Sequence, residues 1–274
     1  MSRTAFALAT LLFFTFLSQA YSAGVEAPLT WQGSVIALGG KQDSSHYEFR
    51  ITNMSVEEKG GYYIVRETVV FTRCELYRNG TVVRGCPVER KTVNFTVKKD
   101  TNTFMLSGRP AFFFLYWPEF SANGTFYTSG IELRAIPALL YTKNFSRENC
   151  LGWGVSLQSK PFRILRCRGW SFPEDDEPMR CIEDRYENFT IDMSFKGPYL
   201  VDGSLYFHAD PFGVIEGRDV IMFINIEKTP EALEFIKNVK SITPPSYPSW
   251  PEYIPYALGA GVVGIVVVAI RRRR

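Results

Sequence analysis

Residues 92–98 alternate strictly: Val93, Phe95 and Val97 fall on one face, and Thr92, Asn94, Thr96 and Lys98 on the other. A period of two with one wet face predicts a β-strand packed on a core by one side only. Residues 188–195 repeat the arrangement, with Phe189, Ile191, Met193 and Phe195 opposite Asn188, Thr190, Asp192 and Ser194. Similar patterns predict strands over 30–37, 47–53, 62–72, 112–116, 131–141, 163–168, 204–207 and 220–226. Helical stretches of ten or more residues between these segments are missing, which argues against a βαβ fold. The expectation is a mainly β, antiparallel, β-sandwich-like ectodomain over 23–240, either one large domain or two small ones divided near 119–124. One short C-terminal helix stands out: Thr229 caps it, Pro230 opens it, and Ala232, Phe235, Ile236 and Val239 recur at helical spacing.

The two ends depart from this pattern. A single charge, Arg3, precedes an uncharged run from Ala5 to Leu17 and then small residues that fit cleavage after Ala20 or Ser22. Residues 1–22 therefore read as a secretory signal peptide, since thirteen apolar residues fall short of the roughly 20 that span a bilayer. At the other end, residues 253–270 carry no charge and run into Arg271, Arg272, Arg273 and Arg274. Eighteen residues rise about 27 Å as a helix, and arginine stems can snorkel to make up the remainder, so this is a candidate transmembrane helix with a stop-transfer cluster. The positive-inside rule keeps 271–274 in the cytoplasm and the N-terminus outside, at a cell surface or envelope membrane. Between domain and helix, Pro244, Pro245, Pro248 and Pro251 make 241–252 an extended stalk.

The order of Trp250, Pro251, Glu252, Tyr253, Ile254 and Pro255, a short hydrophobic helix and terminal arginines resembles the three-part C-terminal signals of prokaryotic surface proteins handled by exosortase-type or archaeosortase-type enzymes. That resemblance implies cleavage near the prolines, lipid attachment and loss of the helix.

Charge adds to this topology. The chain of 274 residues carries +3 overall, but five of its 31 basic residues are Arg3 and the four terminal arginines, whereas all 28 acids lie between them. The exported part is near neutral, with 26 basic residues against 28 acids, and gives no indication of nucleic-acid binding.

Six of the ten asparagines, Asn53, Asn79, Asn94, Asn123, Asn144 and Asn188, sit in N-x-[ST] sequons, where chance gives about 1.4. All six are candidate N-glycosylation sites, and Asn94 and Asn188 fall on the polar faces of their strands. The five cysteines of an exported chain suggest disulfides. Cys74 and Cys86 flank a hairpin turn at Asn79-Gly80. A two-residue turn sets Cys74 opposite Gly85, so a bridge to Cys86 needs a one-residue bulge or a longer loop. Two of Cys150, Cys167 and Cys181 are expected to pair, either Cys150 with Cys167 or Cys167 with Cys181, leaving one thiol over.

Catalytic signals are sparse. His208 and Asp210 would share a face of an extended segment, a pairing that suits a metal or a base with its orienter but more often serves structure. The only other histidine is His46, no cysteine has zinc spacing, and no cofactor motif occurs. The acidic run Glu174, Asp175, Asp176 and Glu177 lies between prolines and lacks the spaced ligands of a calcium loop. The run Phe112, Phe113, Phe114, Leu115, Tyr116 and Trp117 reads either as a strand buried on both faces or as an exposed membrane-active tip. The expected role is that of a single-pass, membrane-anchored surface glycoprotein in adhesion, recognition or envelope structure. The alternatives are a membrane-tethered enzyme, carbohydrate-active for instance, and a membrane-perturbing or fusion protein. Expected partners are the lipid bilayer, an extracellular protein or glycan, and a second copy through the odd cysteine or the Gly/Ala face of the tail helix.

Overall fold

The computed structural model describes residues 28–39, 45–78, 81–118, 124–141, 150–171 and 180–242, with backbone alone at 78, 81–82, 167–171 and 180–182. The segments 1–22 and 253–274, most of the stalk, the acidic run and the sequons at Asn79, Asn123 and Asn144 lie outside the described residues. Among the described residues no helix is long and apolar enough to cross a membrane.

The described chain runs β1 (Trp31–Ala37), β2 (His46–Lys59), β3 (Tyr62–Arg78), β4 (Thr81–Arg84), β5 (Arg90–Lys98), β6 (Thr103–Leu106), β7 (Arg109–Phe112), β8 (Thr125–Thr128), β9 (Ile131–Tyr141), β10 (Cys150–Ser159), β11 (Phe162–Ser171), β12 (Arg180–Phe189), β13 (Asp192–Lys196), β14 (Tyr199–Phe207), β15 (Val220–Ile226) and α1 (Pro230–Asn238). Thirteen strands form one antiparallel sheet in the order β7-β6-β5-β3-β2-β1-β15-β14-β13-β10-β9-β8, with β4 paired to β3, while β11 and β12 make a separate ribbon. Strands from both sides of 119–124 share this sheet, and the described residues belong to one compact unit ending at Ile242.

The β-rich, antiparallel expectation holds, but the sandwich is corrected to a single sheet curled nearly into a barrel. The two terminal strands meet: the Ser129 N–H donates to the Pro110 carbonyl at 3.0 Å, and the Phe112 N–H donates to Thr128 Oγ1 at 3.2 Å. Alternation reports that one face of each strand is buried, not what buries it. Here the inward faces bury one another across the curled sheet.

The aromatic run at 112–117 explains how so wide a curl is filled. Only Phe112 belongs to a strand; the rest crosses the interior and is tied in by hydrogen bonds from Trp117 N to Pro198 O (2.7 Å) and from Leu200 N to Leu115 O (3.1 Å). All six side chains are buried. Phe113 packs on Phe95 and Phe104, Phe114 on Phe207 and Phe212, and Trp117 on Phe126 and Phe195, with ring centroids 4.8–6.5 Å apart. This corrects both expectations for the run. It is neither a sheet strand nor an exposed tip, because six consecutive large apolar side chains need burial on every side and a strand in a sheet offers two.

The strand foreseen at 188–195 is also divided. Phe189, Ile191, Met193 and Phe195 are all buried as their alternation requires, yet the chain leaves the ribbon after Phe189 and joins the main sheet at Asp192. Ser159 holds the crossing point, donating its N–H to Ile191 O at 3.0 Å and accepting at Oγ from Ile191 N at 2.9 Å.

The hairpin reading of the first cysteine pair is met closely. β3 and β4 pair Glu75 with Arg84, and Gly85 N donates to Cys74 O at 2.9 Å, so Cys74 does face Gly85. Gly85 then takes φ +108°, which turns the chain and brings Cys86 within 4.9 Å (Cα to Cα) of Cys74, and the two are bonded.

At the C-terminal end, Thr229 Oγ1 accepts from Ala232 N at 3.2 Å and caps α1, whose Ala232 and Ile236 are buried. Just beyond, the buried Lys196 of β13 donates through Nζ to the Trp153 carbonyl (3.3 Å) and to Ser241 Oγ, holding the chain where it leaves the fold. Burial lowers the Lys196 pKa, with the nearby Cys150 opposing.

Candidate functional site: the ribbon cleft

The β11–β12 ribbon stands beside the main sheet and leaves a cleft of about 480 Å³. Phe162 and Arg163 of β11, Tyr206 of β14, Arg218, Asp219 and Ser129 of the β8–β9 turn are among the residues that line it. That size falls within the roughly 300–1,000 Å³ of small-ligand sites.

The rim is shaped by Asp210. Its carboxylate accepts four hydrogen bonds: from Tyr47 Oη (2.6 Å), Phe212 N (3.0 Å), Val214 N (2.8 Å) and Ile215 N (2.9 Å). An irregular loop must satisfy its backbone N–H groups without a neighbouring strand, and one buried carboxylate does this for three of them. Burial, then the charge and hydrogen bond of Asp210, raise the Tyr47 pKa well above its ordinary value.

His208 and Asp210 are therefore not a working pair. Asp210 makes no hydrogen bond to His208, whose Nδ1 lies 2.8 Å from Ser129 Oγ and whose Nε2 meets the Leu106 carbonyl. A carbonyl only accepts, so Nε2 carries the proton and, in the neutral ring, Nδ1 accepts from the Ser129 hydroxyl. Ser129 and Gly130 have φ of 51° and 82°, the two-residue hairpin turn in which both central residues are left-handed. Serine is strained there, and its bonds to Pro110 and His208 hold it in place. A hydroxyl on a neutral imidazole is the connectivity of an activated nucleophile, but the serine N–H that could serve an oxyanion is occupied by Pro110 O. The arrangement clamps a turn to the loop.

The cleft itself combines rings and charge. Phe162 packs edge-on against Tyr206 (5.4 Å) and Phe189 (5.8 Å), and the Arg163 guanidinium lies 4.8 Å from the Tyr186 ring centroid. Tyr206 Oη donates to Asp219 Oδ2 at 2.6 Å. Burial chiefly, with the bond to and charge of Asp219, raises the Tyr206 pKa, while nearby Arg109 opposes the shift.

Of the candidate glycosylation sites, Asn53, Asn94 and Asn188 are exposed. Asn188 is the cross-strand partner of Arg163, so a glycan there would flank the cleft. Cys150 is a free thiol. Cys167 and Cys181 stand opposite Asp184 and Trp170 on the ribbon, three positions apart along the ladder. No group of three or more potential metal-ligating residues occurs among the described residues. Sequence reasoning missed the cleft, because Ser129, Phe162, Tyr206 and Asp219 belong to four elements whose meeting depends on the curl of the sheet. The one local signal was the Ser-Gly turn.

No protein-family model matches the chain, and no curated protein or solved structure is significantly similar to it.

Proposed function

We propose that the protein is a single-pass, membrane-anchored surface glycoprotein with a non-enzymatic role in recognition or envelope structure. The observation that carries this reading is the position of the sequons. Each of the three within the described residues is exposed, with a buried residue beside it: Met54 after Asn53, Phe95 after Asn94 and Phe189 after Asn188. An outward asparagine next to an inward anchor on a strand is accessible to glycan transfer without disturbing the core. The apolar segment near the N-terminus and the arginine-terminated apolar tail support export and anchoring.

Intact-mass and glycopeptide analysis of the protein from its native membrane tests the reading. The expected chain lacks residues 1–20 or 1–22 and carries glycans at Asn53, Asn94 and Asn188. A chain that retains its N-terminus, or is unmodified at all three, overturns it.

A further inference from the structure

We infer that the outer face of β1, β2 and β15 carries a binding groove for an uncharged carbohydrate, held by Gln32, Asn225, Ser34 and Phe223. The inference deepens the recognition role proposed above and rests on that role, while the sequons take no part in it.

The groove follows from the pattern of three neighbouring strands. Trp31 and Val35 of β1, Tyr47 and Phe49 of β2, and Met222 and Ile224 of β15 turn into the core, so the positions between them turn outward. Register sets these outward side chains in two rows across the sheet. Glu48, Ser34 and Phe223 form one, and Arg50, Gln32 and Asn225 the other. The middle of the first row is a serine between two larger side chains, which leaves a depression. Together the six line a groove of about 370 Å³, within the size range of small-ligand sites.

The second row supplies paired amides. Gln32 Nε2 donates to Asn225 Oδ1 at 3.4 Å, so each amide steadies the other while the Gln32 carbonyl oxygen and the Asn225 N–H groups stay open to a ligand. An acceptor beside donors, with the Ser34 hydroxyl close by, answers neighbouring sugar hydroxyls, each of which both donates and accepts. Phe223 supplies the other half of the chemistry. It is 38 % exposed, and its register partners on either side are the small Ser34 and Ser204, so the ring is uncovered. The C–H face of a sugar ring stacks on such a surface.

Charge decides the class of sugar. Arg50 is paired with Glu227 at 2.9 Å and Glu48 faces Arg73 at 3.9 Å, so both charges of the groove are answered from its rim. An anionic ligand would have to displace one of these pairs, and a wholly apolar one would leave the amides without partners. A neutral oligosaccharide meets both the amides and the ring.

The test uses the full chain in a detergent without a sugar headgroup. Its probes are fluorescent neutral oligosaccharides of glucose, mannose, galactose and N-acetylglucosamine, with sialylated and sulfated ones beside them, and binding is read by anisotropy. The wild type is expected to bind a neutral series with little dependence on salt. Phe223→Ala, and Gln32→Ala combined with Asn225→Ala, should each weaken that binding about tenfold or more. Ser34→Tyr fills the groove while leaving the ring and both amides in place, and should abolish binding. All four positions face outward, and unchanged thermal unfolding confirms that the variants fold. The inference is overturned if no neutral oligosaccharide binds, if only the acidic ones bind, or if binding survives these substitutions. A chain without N-glycans would overturn the surface-glycoprotein reading and leave this result unchanged, whereas a glycosylated chain that binds no sugar overturns the inference alone.

Discussion

Tyr47 Oη donates a 2.6 Å hydrogen bond to Asp210 Oδ1 across 163 residues of sequence, joining the second strand of the sheet to the loop that rims the cleft. The same carboxylate accepts three backbone N–H groups, so the loop geometry rests on one side chain. Asp210→Ala leaves three buried donors and a tyrosine hydroxyl unpaired and should destabilise the protein by about 3 kcal/mol or more. Tyr47→Phe removes one of the four bonds and should cost about 1–2 kcal/mol. Denaturant unfolding measures both, and an Asp210→Ala protein as stable as the wild type would show that the loop is held by other means.

Glu67 makes stability depend on pH in an uncommon direction. It is fully buried on the inward face of β3 between Met54 and Val93, and neither carboxylate oxygen has a hydrogen-bond partner. Desolvation raises its pKa well above the ordinary carboxylate value. With the folded pKa above the unfolded one, its contribution is fully present below the unfolded value of about 4.3 and is lost as pH rises toward the folded pKa. Glu67→Leu should therefore gain about 1–3 kcal/mol at pH 8 and less at pH 5. Melting curves at the two pH values check this, and parallel curves for variant and wild type would refute it.

Gly85 decides whether the first disulfide closes. Its φ of +108° is rarely open to residues with a Cβ, although no atom lies within 4 Å of where that Cβ would sit. Gly85→Val should cost about 1–3 kcal/mol through the backbone alone. The accompanying sign is alkylation of Cys74 and Cys86 in the oxidised protein, seen by peptide mass. Complete protection of both thiols would count against this role for Gly85.

The aromatic run gives a prediction that separates core from surface. Phe114→Ala removes a ring packed against Phe113, Phe207 and Phe212 and should destabilise by about 3–5 kcal/mol. The folded wild type should not release dye from anionic lipid vesicles through this run, since none of it reaches the surface. Leakage abolished by Phe114→Ala in a protein of unchanged stability would reverse that view.

Features set by neighbours in sequence were legible before the fold was known. The cap at Thr229, the inward faces of β5 and β13, and the opposition of Cys74 and Gly85 all follow from local spacing, and the structure has them in place. Features set by closure were not legible. Alternation at Phe95 or Met193 is the same whether the opposite wall is a second sheet or the far side of the same one. The run at 112–117 has no period from which a path could be read, and the cleft residues span 181 positions of sequence, from Leu38 to Asp219. His208 and Asp210 show the converse limit. Spacing placed them together, but each was claimed by a different part of the fold.

The grip of Lys196 on Ser241 has a mechanical side. Any tension on the chain beyond Ile242 arrives first at this contact and at α1, packed through Phe235 on Tyr199, before it reaches β15. Because β15 lies between β1 and β14, the load spreads into the middle of the sheet instead of unzipping an edge. A pull on the C-terminal end is thus borne by a central strand and not by an edge.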